Sequence, residues 1–151
     1  MPPIQPGAMA PSIRGVSFKR APLVVVFYKV TCEVCQLAAP AFQRFQELFP
    51  GRIFGVGQNP PPRLDEWNEE HKWGFPSVHD LSPWPASTAY GVELTPTTFL
   101  IGPGDRKILE TVESWDRLGI NRIARRLAGL SGGEYVPISE MGDGLPEFRP
   151  G

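Results

Sequence analysis

The chain has 151 residues, 41% of them hydrophobic, and its 15 basic and 16 acidic residues are interspersed to a net charge of −1. That length is one domain's worth and buries enough surface to be stable without disulfides or metals. The charge balance leaves no field of either sign, which excludes electrostatic attraction to nucleic acid or to an anionic membrane as the basis of function.

The chain opens with Pro2, Pro3, Pro6, Gly7 and Pro11, which predict an irregular arm over 1–15, ahead of a folded domain over 16–130 and a Gly/Pro-rich tail over 131–151. The start has no charged segment followed by an apolar one, and no run approaches the roughly 20 apolar residues of a membrane span. The expectation is a monomer without a membrane span that stays in the cytoplasm, with an extracytoplasmic location as the alternative if the true N-terminus differs.

Residues 23–28, LVVVFY, are a continuous β-branched and aromatic run, which suits a central strand buried on both faces. From Val34, Ala38, Ala41, Phe45 and Leu48 recur at spacings of four and three, an apolar helical stripe that Pro50-Gly51 closes. RIFGVGQ (52–58) reads as a second strand. Pro60-Pro61-Pro62 opens a helix to about Lys72 with Leu64, Trp67, Asn68 and His71 on one face. FPSVHD (75–80) is a short extended segment, and residues 84–90 make one or two helical turns. TTFLIG (97–102) and KILETVE (107–113) are strands joined by the turn signal Pro103-Gly104-Asp105. A last helix runs from Asp116 to Ala128, with Ile120, Ile123, Ala124 and Leu127 inward, and stops at Gly129. This order predicts an α/β fold, a mixed central β-sheet with helices on both faces.

Both cysteines, Cys32 and Cys35, fall in TCEVC, where the first strand turns into the first helix. A disulfide across so short a loop restricts the unfolded chain by only about 2 kcal/mol, so stapling the fold is a poor explanation. In a reducing compartment such a pair beside a βα junction points to redox chemistry. A thiol at a helix N-terminus faces unsatisfied N–H groups and the positive end of the helix dipole, and both favour the reactive thiolate. Cys32 is that thiol. Cys35, one turn in and less exposed, is placed to attack a mixed disulfide on Cys32 and release the product.

These elements resemble the thioredoxin fold, and within it the TlpA/ResA-like thiol:disulfide oxidoreductases that share the AhpC/TSA-type core. The resemblance runs from about Pro6 to Gly129 and rests on LVVVFY, TCEVC, Pro40 five residues after Cys35, and AYGVELTPTTFLIG. The last segment is similar to the family's YGV-x-x-x-P-T-x-F-L-I, in which the proline is cis and faces the dithiol. The resemblance implies a cis Thr95-Pro96 bond that leaves the Thr95 carbonyl and N–H to pair with an extended substrate. It assigns Cys32, Cys35 and Glu33 to catalysis and Thr31, Thr95 and Pro96 to substrate binding. It also implies protein thiols or disulfides and a recycling thiol-redox partner, with no cofactor and no metal.

The chain departs from the thioredoxin pattern in carrying Thr31 before the first cysteine and Glu33-Val34 between the two. The buried acid that thioredoxins place late in the central strand is missing from LVVVFY. Glu33 resembles the Cys-Glu-Pro-Cys arrangement of the ResA-like branch, where it tunes the dithiol; the other reading is a solvated first-turn glutamate that merely suits the helix dipole. A peroxiredoxin-like thiol peroxidase is an alternative, but its Pro-x-x-x-Thr-x-x-Cys pattern is broken at Val25 and Lys29. A second alternative is a non-enzymatic module that senses redox state or holds a soft metal such as Cu(I). His71 and His79 read as packing or surface residues, since zinc would need two further ligands. Trp84 and Trp115 are the tryptophans expected near the dithiol.

Overall fold

The computed structural model describes residues 2–151. Its elements follow in the order β1 (Leu23–Tyr28), α1 (Glu33–Leu48), β2 (Ile53–Gly57), α2 (Pro61–Glu70), β3 (Ser77–His79), α3 (Pro85–Tyr90), β4 (Thr97–Ile101), β5 (Ile108–Glu113), β6 (Trp115–Asp116), α4 (Arg117–Ser131) and β7 (Phe148–Arg149). The main sheet has the order β3-β2-β1-β4-β5, and β6 and β7 form a separate ribbon. β1 pairs in parallel with β2 and antiparallel with β4, while β4 and β5 make the antiparallel hairpin that the Pro-Gly-Asp turn predicted.

Every residue of β1 is buried because both faces of the sheet are covered. Side chains alternate across a strand, so Val24, Val26 and Tyr28 face a core built from α1, α2 and α4, whereas Val25 and Phe27 face a second core with Val56, Phe99, Tyr90 and Ile108. Among the described residues α3, through Ala86 and Tyr90, is the one helix that contributes to that second core, and the proline-rich arm completes the cover. Ala10 and Ile13 are buried in it, Gly7 N–H donates to the Ile108 carbonyl at 2.9 Å, and Tyr90 Oη donates to the Pro11 carbonyl at 2.6 Å.

Two differences from the sequence reading have local causes. α4 runs past Gly129 to Ser131 and ends at Gly132, whose φ of +74° suits glycine and whose N–H caps the Ala128 carbonyl. A mid-helix glycine costs only about 1 kcal/mol, less than the buried Leu127 and Ala128 contribute around it. The Gly/Pro-rich residues beyond α4 are held by polar groups of that helix. Asn121 Oδ1 accepts from the N–H groups of Ile138 and Ser139 at 2.9 and 3.1 Å, and Asn121 Nδ2 donates to the Ser139 carbonyl at 2.8 Å. Arg117 Nη2 donates to the Leu145 carbonyl at 2.6 Å and its Nε to Ser139 Oγ at 3.0 Å.

Candidate active site

The parallel strands β1, β2 and β3 end on the same edge of the sheet, and the dithiol stands there at the start of α1. The turn between β1 and α1 is tied down on both sides. Val30 N–H donates to Asn59 Oδ1 at 2.9 Å, Gln36 Nε2 donates to the Val30 carbonyl at 3.1 Å, and Cys32 N–H donates to the Lys29 carbonyl at 3.2 Å. Cys32 has an extended backbone and serves as the N-cap, its Sγ accepting the Cys35 N–H at 3.1 Å. The sulfur thus fills the capping role in which Ser, Thr, Asp and Asn are common, and it receives an N–H that stabilises negative charge.

The two thiols differ in the way exchange chemistry needs. The hydrogen bond from the Cys35 side chain, foremost, with further ones from the Thr95 side chain and the Cys35 and Val34 backbone, outweighs burial and holds the Cys32 thiol down to about 6. Burial pushes the Cys35 thiol far up, and the hydrogen bond and charge of Cys32 push the same way. Cys32 keeps 8% of its surface exposed and Cys35 1%. Only the outer sulfur is therefore both ionised near neutral pH and reachable.

Thr95 lies across from Cys32 with a cis bond to Pro96, as the resemblance implies. Cys32 Sγ donates to the Thr95 carbonyl at 3.2 Å. Pro96 is fixed from behind by Ser114 N–H, which donates to its carbonyl at 2.8 Å. Thr31 is exposed beside Cys32. The Glu33 side chain is 86% exposed and meets Arg149 Nη2 at 3.8 Å. β1 carries no acid, and Val26 is wholly buried in the core cluster that contains both cysteines.

A groove of about 390 Å³ opens over Cys32, and it includes residues that sequence reasoning did not single out. Lys29, Glu93 and Leu94 line it from the body of the domain, and Arg149, Pro150 and Gly151 line it from the chain's far end. The first three neighbour the TCEVC and Thr-Pro motifs in sequence, which is a usable signal. Nothing local marks the last three. Trp115 is wholly buried in the same cluster as the dithiol, whereas Trp84 is 47% exposed at the start of α3. His71 packs against Trp67 with ring centroids 4.1 Å apart and planes tilted by 41°, and His79 is exposed at the end of β3.

Fold and site together define a thioredoxin-like protein with a dithiol at its first helix. The AhpC/TSA family matches residues 11–109, and the chain belongs to that family. A search of the curated proteins returned no match. Among solved structures, the chain is similar to a thiol:disulfide interchange protein DsbE from Chlorobium tepidum at 16% identity and a TM-score of 0.63, covering 72% of this chain and 78% of that one. A thiol:disulfide interchange protein from Bacteroides sp. is similar at 19% identity and a TM-score of 0.62, covering 77% and 76%. Peroxidoxin BcpB from Mycobacterium tuberculosis is similar at 24% identity and a TM-score of 0.54, covering 73% and 78%. At these identities the likeness speaks for the thioredoxin-like fold.

Proposed function

We propose that the chain is a thiol:disulfide oxidoreductase that exchanges the Cys32/Cys35 dithiol with protein disulfides. The observation that carries this reading is the pairing of an N-capping Cys32, held down to about 6, with a Cys35 that burial keeps protonated. The Cys32 thiolate attacks one sulfur of the substrate disulfide, forming a mixed disulfide and expelling the other sulfur as a thiolate. Cys35 then gives up its proton to that leaving thiolate or to water and attacks Cys32 Sγ. The second substrate thiol leaves, and a Cys32–Cys35 disulfide holds the oxidising equivalent. Two electrons have passed to the substrate, and a thiol-redox partner restores the dithiol. Thr95, Pro96 and Thr31 form the substrate-binding edge, and Glu33 bears on the dithiol through its charge. The chain acts as a monomer. Among the described residues no helix is long and apolar enough to cross a membrane.

Insulin reduction with dithiothreitol as the electron source tests the reading. Cys32→Ser is expected to abolish turnover, and Cys35→Ser to accumulate a mixed disulfide that a reductant releases. Faster alkylation of Cys35 than of Cys32 at neutral pH reverses the two roles. Turnover of hydrogen peroxide without turnover of insulin replaces the reading with the peroxidase alternative.

A further inference from the structure

We propose that residues 148–151 are a strap seated on the substrate edge of the dithiol groove, so that small disulfides reach Cys32 directly whereas an extended polypeptide must first lift the strap. The proposal rests on the oxidoreductase reading. β7 pairs antiparallel with β6, Trp115 opposite Arg149 and Asp116 opposite Phe148, which carries the chain's far end back to the active-site edge of the sheet. Gly151 then lies over Thr95, and Pro150 lines the same groove. Gly151 N–H donates to Ser114 Oγ at 2.9 Å, and a Cβ on Gly151 would collide with the Thr95 carbonyl. That carbonyl is the group to which Cys32 Sγ donates at 3.2 Å. On the other wall, Arg149 Nη2 reaches Glu33 at 3.8 Å, so the strap bridges from the Thr95 edge to the first turn of α1.

The strap is held by two hydrogen bonds at its base, and beyond it by the β6–β7 pairing and the Gly151–Ser114 hydrogen bond. Trp115 Nε1 donates to the Pro146 carbonyl at 2.7 Å, and Arg117 N–H donates to the Glu147 carbonyl at 2.9 Å. Beyond that base, Phe148 is 56% exposed, and the Arg149–Glu33 pair is exposed enough to contribute little. A segment so anchored swings on its base without unfolding the domain. While seated, it covers the backbone that an extended substrate would pair with and leaves Cys32 reachable by small molecules.

Two variants test this. One ends the chain after Glu147 and keeps both base contacts; the other, Gly151→Val, unseats residue 151 and leaves residues 148–150 in the chain. Four rates are measured on the reduced protein at neutral pH: alkylation of Cys32 by iodoacetamide, alkylation by a maleimide on a long polymer, exchange with 2-hydroxyethyl disulfide, and exchange with insulin. In both variants the polymer-maleimide and insulin rates are expected to rise about tenfold, equivalent to about 1.4 kcal/mol, with the two small-reagent rates changed less than about twofold. Unchanged rates, an equal rise in all four, or a fall with insulin overturns the strap. If the wild type exchanges with neither disulfide, the oxidoreductase reading falls by itself, and the ratio of the two alkylation rates still decides whether the strap covers Cys32.

Discussion

Cys32 and Cys35 belong to one helical turn, yet the fold assigns them opposite protonation, and that asymmetry has measurable consequences. The largest cause of the low Cys32 value is the hydrogen bond from the Cys35 side chain. Cys35→Ala is therefore expected to raise the pH midpoint of Cys32 alkylation by about one unit or more, while Cys35→Ser keeps a hydroxyl donor and most of the shift. Equal midpoints in the two variants refute this cause. The same values link reduced-state stability to pH. Cys32 is depressed from 9.0 to about 6, so its contribution is fully present above about pH 9 and is lost as pH falls towards 6. Cys35 is raised, so its contribution holds below about pH 9 and is lost above it. Urea midpoints of the reduced protein should rise with pH from 6 to 9, and Cys32→Ser should flatten that rise. Glu33 is a weaker lever, because its carboxylate is solvated and faces Arg149. Glu33→Gln should lower the Cys32 midpoint by no more than a few tenths of a pH unit, on the order expected for an exposed charge. A fall approaching one unit would restore Glu33 as a strong tuner of the dithiol. The dithiol and Thr95-Pro96 were legible in the sequence because a strand-helix junction and a Thr-Pro-Thr segment are local signals. The partner of Glu33 was not, since a contact with Arg149 leaves no trace in either residue's neighbourhood.

The main strands and helices were legible for a related reason, since each buries enough of its own surface to impose a period on its residues. β1 reads as unbroken apolar sequence because two cores claim its alternate side chains, and α1 reads as a stripe because it has a single buried face. The two-residue strands β6 and β7 are too short to carry a period and arise only from their pairing with each other. α4 continues past Gly129 to Ser131 because glycine marks two different situations there. Nothing lies within 4 Å of a Cβ built on Gly129, inside the helix, whereas Gly132 has a φ of +74°. Gly129→Ala is therefore expected to stabilise the protein by about 0.5–1 kcal/mol, and Gly132→Ala to destabilise it by about 1 kcal/mol, both read as shifts in urea midpoint. Gly57→Ala should cost more, about 1–3 kcal/mol, because its Cβ would strike the buried Leu64 where β2 packs on α2. A neutral Gly57→Ala would show that α2 shifts freely on the sheet.

At the scale of the whole molecule the two terminal segments do different work, although both are rich in proline and glycine and look alike in composition. The arm closes the second core, with Tyr90 tied to Pro11 and Ala10 wholly buried, so its contacts bear on stability. The C-terminal segment is fastened to α4 through Asn121 and Arg117 and then passes on to the dithiol groove, so its contacts bear on access. Tyr90→Phe removes one hydrogen bond from the arm and should cost about 1 kcal/mol in stability while leaving Cys32 labelling rates unchanged. Asn121→Ala leaves the N–H groups of the buried Ile138 and Ser139 without their acceptor, at a cost of about 2 kcal/mol. That cost should fall on the segment itself, since the apolar face of α4, with Ile120, Ile123 and Leu127, stays packed. Limited proteolysis of Asn121→Ala is expected to cut within residues 132–147 at protease concentrations that leave the wild type intact. Cys32 of the same variant should react faster with a bulky maleimide, since the base that positions the segment has loosened. Cleavage without any change in bulky labelling would separate the anchoring of this segment from access to the dithiol. Global unfolding without selective cleavage would instead make Asn121 a support of the domain as a whole.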